Sequence, residues 1–301
     1  MQTIRLTRVV AEVTLSLFLL LLCSSISQAQ EPLAVESPSP TPETNIEKNF
    51  IKNILSDQKA IWTAPFHVNR KDRVWALPLT GAALTLWATD RQTEAELMEH
   101  GDNLQRFRVS RKFSETGSVY ATGTLAGTFY LVGHLTHNAR ARETGILAAE
   151  ALVNGAIVGS ALKLASQRQR PPVDNGSGEF FDGGSSFPSG HAINAWSVAT
   201  ILAREYGKDR TALKIALYGT AAAVSITRYT GRKHFLSDTL IGSAIGYGIG
   251  RFVYDRHHDP SLDKKESSAI SKVLRSKYFP RVAPDYGPRT GTYGASLGWT
   301  F

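Results

Sequence analysis

Ser186-Phe187-Pro188-Ser189-Gly190-His191 runs directly into an apolar stretch, Ala192 to Ala203. Pro, Ser and Gly ahead of a helical pattern are helix-start chemistry, because serine caps free N–H groups and proline suits the first turn. A helix opening here leaves backbone N–H groups without internal partners, with the positive end of the helix dipole behind them. Gly190 has no Cβ, so an anion can approach that backbone closely. His191, in the same turn, is placed to exchange a proton with whatever the N–H groups hold. Alone, the stretch fits a capped helix with a chance histidine equally well, since Ser-Gly-His is short.

Two further stretches change that balance. Upstream, Lys163 and Arg170 stand seven residues apart, with Pro171 directly after. Nearly two helical turns separate them, which predicts one shared face and a helix that stops at the proline. Downstream, Arg228 is followed six residues later by His234, and His234 four residues later by Asp238. Positions i and i+4 share a helix face, so the Asp238 carboxylate is expected to accept a bond from one imidazole nitrogen and leave the other lone pair outward. That is the orienting half of a triad with histidine as nucleophile. Each piece has a bland counterpart: a snorkelling lysine, a solvated arginine, an i,i+4 surface pair. Three cations, two histidines and an aspartate in three spaced blocks are much harder to obtain by accident.

Lys-x6-Arg-Pro, Pro-Ser-Gly-His and Thr-Arg-x5-His-x3-Asp, in this order and spacing, resemble the signature blocks of the type 2 phosphatidic acid phosphatase and vanadium haloperoxidase superfamily. The one departure is Thr227, where the third block usually has serine; the hydroxyl is kept. The resemblance covers residues 50 to 257. It implies a phosphate cradle of Lys163, Arg170, Arg228, the Ser189 hydroxyl and the backbone at Gly190. It also implies attack by His234, orientation by Asp238 and proton transfer by His191. No Cys/His/Asp metal cluster is visible in the sequence, so the expected catalysis uses neither metal nor other cofactor.

The expected fold is all-α, a bundle of about six core helices with a short C-terminal β-hairpin or strand. Six apolar segments support it: Val74 to Ala88, Gly117 to Leu135, Ile146 to Ala165, Ala192 to Ala203, Ala212 to Ile226, and Phe235 to Tyr254. They leave no room for alternating strands and helices. Pro78, Glu150, Lys163, Lys214 and Asp238 interrupt or end these runs, and only Gly117 to Leu135 approaches the length and apolarity of a bilayer span. Mean hydropathy is −0.16. Glycine pairs at four-residue spacing, Gly123/Gly127 and Gly155/Gly159, and the series Gly242, Gly246, Gly250 predict close helix packing, in a membrane or out of it. Glu150, inside an apolar run, is expected to pair with Arg140 or Arg142. The Gly-, Asp- and Ser-rich stretch Asp174 to Ser185, with Phe180 and Phe181 inserted, reads either as a lid beside the site or as an ordinary surface loop.

Outside the bundle, residues 1–29 read as a secretory signal: Arg5 and Arg8, then an apolar core, then a small-x-small site ending at Ala29. Residues 30–45 have the composition of a disordered linker. The phosphatase domain is placed at 46–257, opening on an amphipathic helix with Ile46, Phe50, Ile51, Ile54 and Leu55 on one face, which lies either on the core or on a membrane surface. Residues 258–301 form an extension whose last residues alternate as a strand does, with Tyr293, Ala295, Leu297, Trp299 and Phe301 on one side.

The chain carries a net charge of +8. That excess favours anionic partners, and no Lys/Arg run or aromatic-interleaved basic strip points to nucleic acid. The expected protein is therefore a metal-independent phosphomonoesterase acting through a phosphohistidine on a lipid phosphate, isoprenoid pyrophosphate or small phosphoester. Its expected location is the cell envelope, as an exported periplasmic domain that at most sits on a membrane, with a multi-span membrane protein as the alternative. Two rivals use the same residues differently: a vanadate-dependent haloperoxidase, with vanadate on His234, and a non-catalytic envelope scaffold.

Overall fold

The computed structural model describes residues 45–64, 70–99, 104–173, 176–263, 281–287 and 292–298. Among the described residues, eight helices make up the body: α1 (Asn45–Thr63), α2 (Arg70–Glu99), α3 (Leu104–Ser114), α4 (Val119–Leu135), α5 (Ala139–Ser166), α6 (Gly190–Tyr206), α7 (Thr211–Thr230) and α8 (Leu236–His257). The fold is helical, as the apolar segments indicate. The helix missing from that expectation is α3, Leu-Gln-Arg-Phe-Arg-Val-Ser-Arg-Lys-Phe-Ser, too polar to stand out in the sequence. The proposed signal and linker, residues 1–44, lie outside the described residues.

Helix α6 is the centre, packed by α5, α7 and α8. Its contact with α8 depends on glycine. A Cβ at Gly242, Gly246 or Gly250 would lie 2.7, 2.3 or 2.6 Å from the carbonyl oxygens of Ser189, Ile193 and Ser197 respectively. Both series advance by four residues, so one ridge of α8 runs directly along the backbone of α6. Gly155 and Gly159 of α5 receive the side chain of Ile193 in the same way. Gly123 and Gly127 do not behave as expected: a Cβ at either meets nothing within 4 Å. The close approach of α4 and α5 is instead made at Gly133 and Gly145, where a Cβ would strike the backbone of Arg142 and Tyr130. Gly246→Val should therefore destabilise the protein by about 1–3 kcal/mol through overpacking. Gly127→Ala should be neutral or stabilising by up to ~1 kcal/mol through helix propensity. Thermal melts of the two variants check the pair.

Other expectations shift for identifiable reasons. Glu150 is fully buried but accepts from Asn53 Nδ2 at 2.9 Å rather than from an arginine. Arg140 is taken by Glu205 and Arg142 by Glu47. Burial pushes the Glu150 carboxyl up to about 7. Helix α1 does lie on the core, through Ile46, Ile54 and the bond from Asn154 to Asp57, yet Ile51 and Leu55 are exposed.

Helix α2 is turned the other way. Val74, Leu77, Leu79, Leu84 and Trp87 are exposed on it, while Asp90 and Glu94 are buried. Among the described helices, α5 rather than α4 is long and apolar enough to cross a bilayer, and 61% of that stretch is buried inside the protein. Beyond the helices, the backbone of β1 (Arg281–Gly287) runs antiparallel to that of β2 (Thr292–Gly298), Arg281 opposite Gly298 and Gly287 opposite Thr292.

Candidate active site

The three sequence blocks converge at one end of the bundle: the last turn of α5 and the loop after it, the start of α6, and the α7–α8 connection. Lys163 is in that last turn of α5. The helix then stops at Ser166, capped by Gln167 in the left-handed region (φ 45°), five residues before Pro171. Arg170 is therefore on the loop and not on a shared helix face, and the chain reversal brings it to the site instead. The loop turns back onto the helix end: Phe181 N donates to Ser166 O, Gly184 N to Gln167 O, and Gln169 N to Glu179 O. The described part of the stretch read as a lid or a surface loop is thus anchored to the end of α5, with Phe180 inward and Phe181 79% exposed.

Lys163 Nζ donates to the carbonyls of Ser185 (2.8 Å) and Pro188 (2.7 Å), which fixes it against the α6 entry. Arg170 reaches Ser185 Oγ at 3.3 Å. Arg228, in the last turn of α7, donates to Ser114 Oγ at 3.2 Å, while its Nε makes no hydrogen bond. Burial and the repulsion of Arg170 lower both other cations, Lys163 to about 8 and Arg228 to about 10. Like charges held this close are stable only with an anion or solvent among them.

Ser189 is the N-cap residue of α6, but its side chain makes no capping bond. Its hydroxyl is fully buried and makes no hydrogen bond, so it is free for a ligand oxygen. A Cβ at Gly190 would meet nothing within 4 Å, so the helix start is open. His191 follows, partly exposed, with Nε2 3.8 Å from Glu115 Oε2 on the 3-10 turn Glu115–Gly117. Burial, then the facing Arg228, push its pKa down to about 4.

His234 differs from the expectation in an instructive way. It precedes α8, whose N-cap is Phe235, so the i,i+4 helical argument does not apply to it. Its Nδ1 lies 2.7 Å from the carbonyl oxygen of Ser186 and 3.8 Å from Asp238 Oδ2. A carbonyl only accepts, so Nδ1 carries the proton and the lone pair is on Nε2. Burial pushes the ring down to about 4, which keeps it neutral at pH 7.

Asp238 works one layer back. Its Oδ2 accepts from Ser186 Oγ (2.5 Å) and Phe235 N (3.0 Å), so it fixes both the residue that holds His234 and the residue after it. Burial would raise its pKa, but His234, Arg168 and Ser186 together hold it below the ordinary value.

Arg168 and Asp90 have no counterpart in the sequence reading. Arg168 Nη1 donates to Asp238 Oδ1 (2.7 Å) and Ser237 Oγ (2.8 Å), Nη2 to Asp90 Oδ2 (2.8 Å), and Nε to Gly178 O (3.1 Å). The guanidinium lies over the rings of Phe235 and Phe180, 4.2 and 5.0 Å from their centroids. Only its place inside the Lys163–Pro171 block could have drawn attention to it.

The sequence profile of the PAP2 superfamily matches residues 144–260, which hold all three blocks. That segment resembles the PAP2 superfamily. The chain is 31% identical to the lipid A 1-phosphatase of Porphyromonas gingivalis over 39% of its own length. It spans about 30% of that relative's length. Two solved structures are similar to it. The crystal structure of Aquifex aeolicus LpxE is 21% identical, with a TM-score of 0.40, covering 52% of this chain and 89% of that one. The PAP2-type phosphatidylglycerolphosphate phosphatase of Bacillus subtilis is 19% identical, with a TM-score of 0.45, covering 73% of this chain and 95% of that one.

The cluster's charge predicts a pH effect on anion binding. Lys163 titrates near pH 8 in the free protein, and a bound dianion raises that value. Sulfate affinity should therefore fall as pH rises above about 8, approaching tenfold per unit, with proton uptake on binding. Titration calorimetry in two buffers of different ionisation heat measures both. In Lys163→Met the step near pH 8 should vanish.

Proposed function

We propose that this protein hydrolyses phosphoric esters through a phosphohistidine on His234, with a phosphorylated lipid as substrate. The observation that carries the reading is His234 itself: buried, neutral, and tied by Nδ1 to a carbonyl, so that its one free lone pair is on Nε2. Lys163, Arg170 and Arg228 take the equatorial oxygens of the phosphoryl group, with the Ser189 hydroxyl and the N–H groups at Gly190 completing the cradle.

Nε2 attacks phosphorus, the P–O bond to the leaving group breaks, and His191 passes its proton to the departing alkoxide. His191 then takes a proton from water as that water attacks phosphorus, the P–N bond breaks, and phosphate leaves His234 neutral again. In the free site His191 is unprotonated at neutral pH, so its acid form requires the arriving dianion, which offsets Arg228 and Arg170. A lipid substrate is supported by the exposed apolar face of α2, by the exposed Phe181 at the site loop, and by what the relatives' names say of those proteins. We place the protein at the cell envelope on the same grounds, with the C-terminal pair of segments as a small hairpin on the bundle.

Turnover of p-nitrophenyl phosphate, phosphatidate and isoprenoid pyrophosphate, beside bromination of a dye with vanadate and peroxide, tests the reading. Ester hydrolysis that persists in excess EDTA and is inhibited by micromolar vanadate is expected. Bromination without hydrolysis would assign the cradle to vanadate chemistry, and neither activity would leave a scaffold.

A further inference from the structure

The far end of the bundle carries a second cluster. Glu143 is in the first turns of α5, Glu205 in the last turn of α6, and His258 directly after α8. Glu143 and Lys163 are twenty positions apart on α5. That separation is about 30 Å of helix, so this cluster is remote from the anion cradle. One ligand atom from each of Glu143, Glu205 and His258 lies within 4.8 Å of the other two. His258 Nδ1 is 2.7 Å from Glu143 Oε1 and 3.5 Å from Glu205 Oε2. The three residues are far apart in sequence and on separate helices, which is why no ligand cluster is legible there.

Three further observations point to an occupant. Glu205 is fully buried, and its Oε2 faces the histidine without a hydrogen bond of normal geometry. Its other oxygen is held by Arg140 Nε at 2.7 Å, so the side chain cannot swing away. Across the ring, His258 Nε2 faces Asp263 Oδ2 at 3.6 Å, and Asp263 is in turn 3.4 Å from Lys208 Nζ. A metal-bound histidine commonly gives its other N–H to a carboxylate, which fixes the tautomer with the lone pair toward the ion. Glu143 Oε1 is braced by Asp259 N at 3.0 Å, and Tyr254 stacks on the imidazole with centroids 4.4 Å apart.

We propose that Glu143, Glu205 and His258 bind a zinc ion, with Asp263 orienting the histidine and Arg140 bracing Glu205. One imidazole and two carboxylates are a donor set that zinc accepts, and bonds of about 2.0–2.2 Å place neighbouring ligands roughly 3.4 Å apart. The Nδ1–Glu205 separation already fits; the Nδ1–Glu143 separation opens slightly as the ion replaces the hydrogen between them, and the displaced proton goes to solvent. The ion staples three helix ends and takes no part in ester hydrolysis.

Purified full-length protein, stripped with chelator and titrated with zinc at pH 7.5, tests this. One tightly held zinc per chain is expected, with a rise in Tm of several degrees at saturating metal. Cobalt in its place should give the intense visible bands of a four-coordinate site. His258→Gln and Glu205→Gln should lose stoichiometric binding, and Asp263→Asn should weaken it about 10–100-fold. Should either glutamine variant fail to fold, the wild-type cobalt spectrum decides alone. Absence of retained zinc and of any Tm shift in wild-type protein, or weak six-coordinate cobalt bands, overturns the proposal and leaves a protonated histidine among carboxylates.

Discussion

His234→Ala is expected to reduce phosphoester turnover to background, whereas His191→Ala should retain a measurable fraction. The difference follows from what each ring can do where it stands. His234 is buried with Nδ1 committed to the Ser186 carbonyl, which leaves the Nε2 lone pair as the proposed nucleophile, and on that proposal no covalent intermediate forms without it. His191 is at the open start of α6, and its loss leaves the nucleophile and the cradle in place. A missing general acid typically lowers the rate by about 10²–10⁴-fold for a leaving group that needs the proton. For a nitrophenyl ester the loss should be much smaller, because nitrophenolate leaves unaided. Rates of both variants on an alkyl and a nitrophenyl phosphate check this. Equal losses on the two esters would show that His191 is not the acid.

Arg168→Ala should destabilise the protein by about 3–5 kcal/mol, the usual result of removing one partner from a buried ion pair. Two carboxylates lose their partner at once, Asp90 and Asp238, both buried. For a domain of this size that is a fall in Tm of roughly 10 °C. Because Asp238 holds Ser186, and Ser186 holds His234, turnover should fall further than stability alone explains, with sulfate affinity little changed. Arg168→Lys keeps the charge but not the fork that reaches Asp90, Ser237 and Asp238 together, so it should recover part of the stability and little of the rate. Thermal melts, steady-state rates and sulfate titrations on the folded fraction separate the two effects.

How much of this the sequence carries depends on whether a partner is near in the chain. The local blocks Lys163–Pro171, Pro188–His191 and Thr227–Asp238 are legible because each holds its own functional groups, and the site residues proposed from them do come together. The geometry read from helical spacing is less secure. Lys163 and Arg170 are not on one helix, since Gln167 turns left-handed between them. His234 and Asp238 are not on one helix turn, since α8 starts after His234. In both cases a loop, whose path depends on distant contacts, does what a helix was expected to do. Asp90, Arg168 and Ser186 were out of reach because the bonds that tie them to His234, Ser237, Asp238 and one another span between 48 and 147 residues. The zinc ligands were hidden for the same reason. The glycine ridge of α8 was legible because its period matches the helix, while Gly123 and Gly127 show that the same period also occurs on a face that meets nothing.

The most direct measurement is the location of the covalent intermediate. His191→Ala is mixed with a labelled, activated phosphoester, quenched in alkaline denaturant to preserve phosphohistidine, digested and sequenced by mass spectrometry. The account predicts one labelled peptide, carrying phosphate on His234, and no label in His234→Ala treated alike. Label on His191 in His234→Ala, or no labelled residue in His191→Ala while its turnover continues, would contradict it.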